Sequence, residues 1–218
     1  MSLESDPNAQ MSPVIRTLVF DMGNVLLYFS HERMCQQLAE LFDCSAQEMR
    51  AWLFAEHWQE SFERGLITGD ELTLRMNERW QKQISLERVY QACCDIFHPN
   101  IELMRLLPAL KARGFRLLLL SNTHRWHIEF VRRRYEIWSW FDDLILSCDV
   151  QAMKPEDAIF RAVEQRADCS PFQIFYTDDI TQYVQAARHR GWHAFVYRDM
   201  PTFVRDLQSV GITSPTQC

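Results

Sequence analysis

Five short runs of leucine and β-branched or aromatic residues constrain this chain more than any other feature: "VIRTLVF" (14–20), "FRLLLL" (115–120), "LILS" (144–147), "QIFYT" (173–177) and "HAFVY" (193–197). They are too short for helices, and they read as buried strands. Between the last four lie stretches of helical spacing, such as "THRWHIEFVRRRYEIW" and "PEDAIFRAVEQRA". Alternating strands and helices build an α/β parallel sheet with helices on both faces. Pro155 followed by Glu156 and Asp157 predicts a helix start, while Gly114 and Gly191 each close a helix ahead of a strand.

Between the first two runs the alternation stops, and residues 30–98 show helical periodicity with no convincing strand. "SAQE" (45–48) and "TGDE" (68–71) both fit a Ser/Thr-x-x-Glu helix start, and Gly65 and Gly69 separate two helices. Trp52, Phe54, Trp58, Phe62 and Trp80 fall here and suit the core of a small helical bundle, with one or two of them free to face a ligand. The expected organisation is a core domain of residues 11–29 and 99–218, interrupted after its first strand by a small all-helical domain, 30–98. Residues 1–10 read as a disordered tail ahead of Met11.

Charge and composition narrow the partners. With 23 basic against 29 acidic residues and a formal net charge of -6, the chain offers no broad attraction to nucleic acid or to an anionic membrane. No run is apolar and long enough to span a bilayer, and the acidic start lacks the pattern of a secretory signal, so the expected location is cytoplasmic. Seven cysteines without metal spacing then read as reduced thiols. The length accommodates a monomer or a homodimer equally.

In an open parallel sheet, ligands bind at the carboxyl ends of the strands. Here the first strand ends at Asp21, the second at Ser121 and Asn122, the third leads to Lys154, and the fourth ends at Asp178 and Asp179. Singly, each has an ordinary explanation as a helix cap or a solvated charge. Together, three carboxylates a few Å apart repel by roughly 4 kcal/mol per close pair at an effective dielectric of about 20, so a cation belongs among them. Mg²⁺ fits, since it takes one or two carboxylates and leaves positions for water and a phosphate. His124 and His127, three apart beside this crevice, read as surface histidines because no third ligand accompanies them. "RRR" (132–134) reads as a solvated helix face.

These residues also carry a resemblance. "VFDMGNVL" with Asp21, "LLLLSNT" with Ser121 and Asn122, "MKPEDAIF" with Lys154 and "IFYTDD" with Asp178 and Asp179 resemble, in order, the four motifs of the haloacid dehalogenase-like hydrolase superfamily. "FDMGNVL", "FERGLITGDE" and "SNTHRW" followed by "KPE" are similar, more narrowly, to bacterial phosphatases acting on α-D-glucose 1-phosphate. The resemblance implies a Rossmann-like core with a helical cap, and a Mg²⁺-dependent phosphatase of small phosphate esters. Asp21 would be the nucleophile that becomes phosphorylated. Ser121, the backbone at Asn122 and Lys154 would hold the phosphoryl group, with Asn122 at a helix N-terminus. Asp21, the Gly23 carbonyl and Asp179 would bind the metal, supported by Asp178.

Two positions depart from the superfamily pattern. Gly23 stands where an aspartate usually acts as general acid and base, and Tyr183 stands where an acid or asparagine usually follows the metal aspartate. Without the acid, leaving groups already stable as anions, such as sugar 1-phosphates, are favoured unless a cap residue or a bound water supplies the proton. Two alternatives stay open: a metal-independent 2-haloacid dehalogenase using the same aspartate, and a catalytically weak phosphate-binding protein.

Overall fold

The computed structural model describes residues 14–213; the expected N-terminal tail, 1–10, lies outside them. In chain order the strands are β1 (Thr17–Phe20), β2 (Leu27–Phe29), β3 (Phe97–Pro99), β4 (Arg116–Ser121), β5 (Asp143–Leu146), β6 (Ile174–Asp178) and β7 (His193–Val196). Between β2 and β3 lie α1 (His31–Phe42), α2 (Ala46–Arg50), α3 (Trp58–Glu63), α4 (Gly69–Trp80) and α5 (Leu86–Cys94). The remaining helices are α6 (Ile101–Met104), α7 (Leu107–Ala112), α8 (Arg125–Arg134), α9 (Ser147–Val150), α10 (Asp157–Ala167), α11 (Thr181–His189) and α12 (Met200–Ser209).

All five strands expected from the apolar runs form, and they pair in parallel in the order β5-β4-β1-β6-β7. Strand alternation divides the core between two faces. Leu18 and Phe20 of β1 join Leu117, Leu119 and Phe175 against Leu107, Val131, Phe203 and Leu207. Val19 points the other way, with Leu118, Leu120 and Tyr176, against Phe160, Val163 and Val184. Chain order reverses direction across the sheet at β1, so the β1–β6 seam is a switch point where strand ends open a crevice. Gly114 and Gly191, both at φ +86°, end the turns after α7 and α11 in the left-handed conformation that glycine adopts freely.

Residues 30–98 are helical as expected, with one correction. Their last residues join β3, which pairs antiparallel with β2, so a two-stranded ribbon carries the helical insertion. Three-residue strands are too short to leave a periodic signal, and Pro99 is tolerated because this strand has one partner only. The buried Asn100 ties the ribbon to the sheet: its amide donates to Val25 O (2.7 Å), and it shares a 2.7 Å bond with the Tyr197 hydroxyl.

Helix starts follow the sequence closely. Ser45 and Glu48 form the reciprocal capping box, whereas at Thr68 only the hydroxyl bond to Glu71 N (3.2 Å) is made. The helix after Pro155 begins at Asp157, with Glu156 as its N-cap. Trp52 stacks on Trp58 and meets Trp80 edge-on, forming the core of the insertion. Phe62 instead faces the sheet domain, stacked 4.0 Å from His124 and edge-on to Trp126. His124 and His127, expected at the surface, are correspondingly buried, because the insertion covers the face of α8 on which they lie. Arg132, Arg133 and Arg134 are exposed. Cys35, Cys44, Cys93, Cys94, Cys148 and Cys169 are unpaired thiols.

Two glycines let the insertion approach closely. A Cβ on Gly65 (φ +67°) would lie 2.4 Å from Cys148 O, and one on Gly69 would lie 2.0 Å from the Trp126 indole. Gly69→Ala is therefore expected to lower stability by about 1–3 kcal/mol, as overpacking does. In a Trp126→Ala background the same substitution should cost far less. Urea unfolding of the four proteins measures this, and an equal cost in both backgrounds would show that the indole is not what demands a glycine.

Candidate active site

Parallel pairing in register brings the strand ends to one place. Phe20 lies opposite Thr177 and Leu119, so the next residue, Asp21, stands beside Asp178 on one side and the end of β4 on the other. The Asp21 backbone amide continues the ladder by donating to Thr177 O (3.0 Å). Lys154 reaches in from the loop before α10. Its Nζ donates to Asp21 Oδ1 (2.8 Å), Asp178 Oδ2 (2.6 Å) and Leu120 O (3.3 Å). Its side chain is 1% exposed, so it is no solvated surface charge.

Asn122 holds that lysine's backbone in place. It accepts from Lys154 N (2.8 Å) and donates to Lys154 O (3.1 Å), a two-point clasp between the β4 end and the loop. This differs from the expected helix N-terminus: α8 starts three residues later, with His124 as its N-cap, so Asn122 lies before its first turn. Tyr183, the residue that departs from the superfamily pattern, lays its ring 5.0 Å from the Lys154 ammonium and sets its hydroxyl 3.4 Å from the Asn122 amide. It supports the lysine by a cation–π contact.

Asp21, Gly23, Ser121, Asn122, Lys154 and Asp179 line one cavity of about 180 Å³. Asp178 sits behind it, fully buried. Its Oδ1 accepts from Ile180 N (2.8 Å), and its Oδ2 accepts from both Lys154 and the Tyr176 hydroxyl. Asp179 is half-buried, with Oδ2 accepting from the Asn24 amide (3.1 Å). Burial raises the Asp179 carboxyl above its ordinary range, opposed by that Asn24 bond. Burial likewise raises Asp21, to about 7; the Lys154 charge opposes the rise, and Asp178 and Asp179 add to it. Burial works against the Lys154 ammonium, but the Asp178 and Asp21 carboxylates outweigh it and hold the proton more tightly than usual.

The donor set fits a hard divalent cation. Carboxylate oxygens of Asp21, Asp178 and Asp179 lie within 4.8 Å of one another, three acids against one ammonium. Asp21 Oδ2, Asp179 Oδ1 and the Gly23 carbonyl accept no hydrogen bond among the described residues, which leaves three oxygen donors for a metal that prefers oxygen. Thr123 lines the same cavity, and its buried Oγ1 has no hydrogen-bond partner among the described residues.

Several lining residues were not singled out as site residues in the sequence. Phe29, at the end of β2, occupies the space a side chain on Gly23 would need: a Cβ there would come within 2.6 Å of its ring. His31 and His127 add two imidazoles, both pushed down by burial, to about 4 and about 3. Glu63, at the end of α3, lines the cavity from the helical insertion. No periodicity marks these residues; they arrive through the ribbon and the docking of the insertion.

Comparison with known proteins bears on the family and the fold. The family model for haloacid dehalogenase-like hydrolases matches residues 15–191. Bifunctional epoxide hydrolase 2 of Rattus norvegicus is 25% identical over 90% of this chain, and the chain spans only 39% of that relative's length. A HAD family enzyme of Bacteroides thetaiotaomicron, solved with magnesium and inorganic phosphate, is 25% identical with a TM-score of 0.75, covering 85% of this chain and 94% of that one. An L-2-haloacid dehalogenase of Xanthobacter autotrophicus, with chloropropionic acid covalently bound, shares the fold at 16% identity and a TM-score of 0.59, covering 92% and 86% of the two chains. No helix among the described residues is long and apolar enough to cross a membrane. The parallel sheet, the acids and lysine at its carboxyl edge and the match across most of the sequence have one reading: this chain belongs to the haloacid dehalogenase-like hydrolase family.

Proposed function

We propose that this hydrolase is a Mg²⁺-dependent phosphatase of small phosphorylated metabolites of the sugar 1-phosphate type, working through a phosphorylated Asp21. The observation that carries the reading is the acid–lysine cluster, in which one oxygen of Asp21 is held by Lys154 while the other has no partner among the described residues. A carboxylate so held is oriented for attack, and a covalent intermediate divides one difficult displacement into two easier ones. In the first step an Asp21 oxygen bonds to phosphorus as the ester oxygen departs. In the second, water attacks phosphorus and Asp21 is released. Lys154 offsets the charge shared by Asp21 and the phosphoryl group. Ser121 and Thr123 line the side where phosphoryl oxygens would lie.

Asp21, the Gly23 carbonyl and Asp179 would hold the Mg²⁺, with Asp178 fixing Lys154 behind them. Bound there, Mg²⁺ supplies Lewis-acid polarisation of a phosphoryl oxygen and offsets the excess carboxylate charge. The bacterial relative solved with magnesium and inorganic phosphate supports this choice of ion and ligand over the dehalogenase alternative. The helical insertion, 30–98, acts as a cap over the crevice, and the cavity of about 180 Å³ is below the ~300–1000 Å³ usual for drug-sized ligands, in keeping with a small substrate.

EDTA should abolish phosphate release and added Mg²⁺ should restore it. Halide release from a 2-haloacid that is indifferent to EDTA would instead establish the dehalogenase. Asp21→Asn should retain less than about 1% of activity, because loss of a nucleophile costs orders of magnitude; substantial residual turnover rules out its role.

Lys154→Met is expected to lower stability by about 3–5 kcal/mol as well as activity, since it strands two buried carboxylates. Added salt should restore neither, because the cluster is shielded from solvent. Chemical denaturation with a phosphatase assay on the same samples checks both, and wild-type stability would refute the structural part.

A further inference from the structure

We propose that Glu63, carried by the helical insertion, is the general acid and base of the reaction, taking over the proton transfers for which Gly23 has no side chain. The proposal rests on the phosphatase reading above. It begins with a vacancy in chemistry: a departing alkoxide needs a proton, and the position two residues after the nucleophile is a glycine packed against the Phe29 ring. An acid at that position and the phenyl ring would compete for the same space. The proton must therefore come from elsewhere in the cavity.

The other lining groups are committed or unsuited. Asp21 attacks, Asp179 is left for the metal, and Lys154 is clamped between two carboxylates. His31 and His127 are neutral at working pH, since burial pushes them to about 4 and about 3, so they have no proton to give there. Burial holds the Tyr183 hydroxyl above its ordinary range, making it a weak acid. Glu63 remains.

Its placement is built from both domains. The Ser147 hydroxyl, which also accepts from Thr123 N (2.8 Å), lies 2.6 Å from Glu63 O, fixing the Glu63 backbone to the loop that follows Ser121 and Asn122. The next residue, Arg64, is paired with Glu60 and with Glu156 of the core, and Gly65 then packs on Cys148. Arg64 is thus engaged elsewhere. The Glu63 carboxyl has no ion-pair partner among the described residues; its Oε1 accepts one bond, from the buried Gln59 amide (2.8 Å). No hydrogen bond joins it to Asp21, Asp178 or Asp179.

The electrostatics suit a group that alternates between acid and base. Burial raises the Glu63 carboxyl to about 7, the Gln59 bond opposes this, Glu60 adds to it and Lys154 lowers it. Asp21, Asp179, Lys154, Tyr183, His31 and His127 are the other titratable groups lining its cavity. In the first step the Asp21–phosphorus bond forms, the bond from phosphorus to the ester oxygen breaks, and that oxygen takes the Glu63 proton. In the second, the Glu63 carboxylate takes a proton from water as the water oxygen bonds to phosphorus and the bond to Asp21 breaks. Inorganic phosphate leaves, and Glu63 is again protonated.

The test compares wild type and Glu63→Gln on ethyl phosphate, whose alkoxide needs a proton, and p-nitrophenyl phosphate, whose phenolate does not. For the variant, kcat/KM on ethyl phosphate should fall about 10²- to 10⁴-fold, the range of general acid catalysis, and on the aryl ester less than about 10-fold. The variant should also show a stoichiometric burst of nitrophenolate, because water attack on phosphorylated Asp21 has lost its base. In wild type, kcat/KM for ethyl phosphate should rise as Asp21 loses its proton and then fall as Glu63 loses its own, and the falling limb should be absent in the variant, which keeps the rise. An equal loss on both esters, or none on either, overturns the role of Glu63 and leaves the phosphatase reading standing. So does a wild type confined to the aryl ester, which would lack an acid altogether. A wild type that releases phosphate from neither ester overturns the phosphatase reading, and this proposal with it.

Discussion

The site depends on a lysine ammonium buried between two carboxylates. Lys154 is almost fully removed from water, as is Asp178, and desolvating such charges costs several kcal/mol each unless geometry restores the interaction. On one side both oxygens of Asp178 are engaged, by Lys154, Tyr176 and the Ile180 amide. On the other side the engagement is partial, since Asp21 shares one oxygen and keeps the second. Strands β1, β4 and β6 and the loop before α10 all terminate on this cluster. Any slip in register between β1 and β6 would part Asp21 from Asp178, so the sheet is aligned by the same contacts that hold Asp21.

A second constraint is the closeness of the helical insertion. It is joined to the sheet domain by the β2–β3 ribbon and fastened by contacts that tolerate no Cβ, at Gly65 against Cys148 and Gly69 against Trp126. Phe62 adds an aromatic stack onto His124, and a buried phenyl side chain is worth about 1.5–3 kcal/mol of apolar burial. The stacked His124 and its neighbour His127 are thereby desolvated and kept neutral, so they add no positive charge beside Lys154. The ribbon also brings Phe29 against Gly23, so one short strand both carries the insertion and fills the place of a missing acid.

Much of this was legible in the residues. Each of the five apolar runs became a strand of the central sheet, because a segment buried on both faces must be apolar throughout and short, and that signature survives without tertiary information. The polar residues closing those runs converge for a geometric reason: in a parallel sheet all carboxyl ends lie on one edge. The histidines misled because their exposure is set by what packs over α8, and that surface comes from residues some sixty positions earlier, at Phe62. Asn122 misled in a smaller way, since its hydrogen bonds go to Lys154 rather than to a helix. The strands β2 and β3 left no pattern, having too few residues to repeat one.

The sequence by itself determined the α/β class, the sheet's strands, the inserted helices and the line of Asp21, Ser121, Lys154, Asp178 and Asp179 along one edge, because hydrophobic period and strand ends are local properties. Only the tertiary structure decided how those groups divide their roles: that Asp178 is spent on Lys154, that Tyr183 backs the same lysine, and that Glu63 shares the cavity. The reason is physical. A carboxylate's chemistry is set by its burial and by which of its oxygens remain free, and both depend on partners far away in the chain.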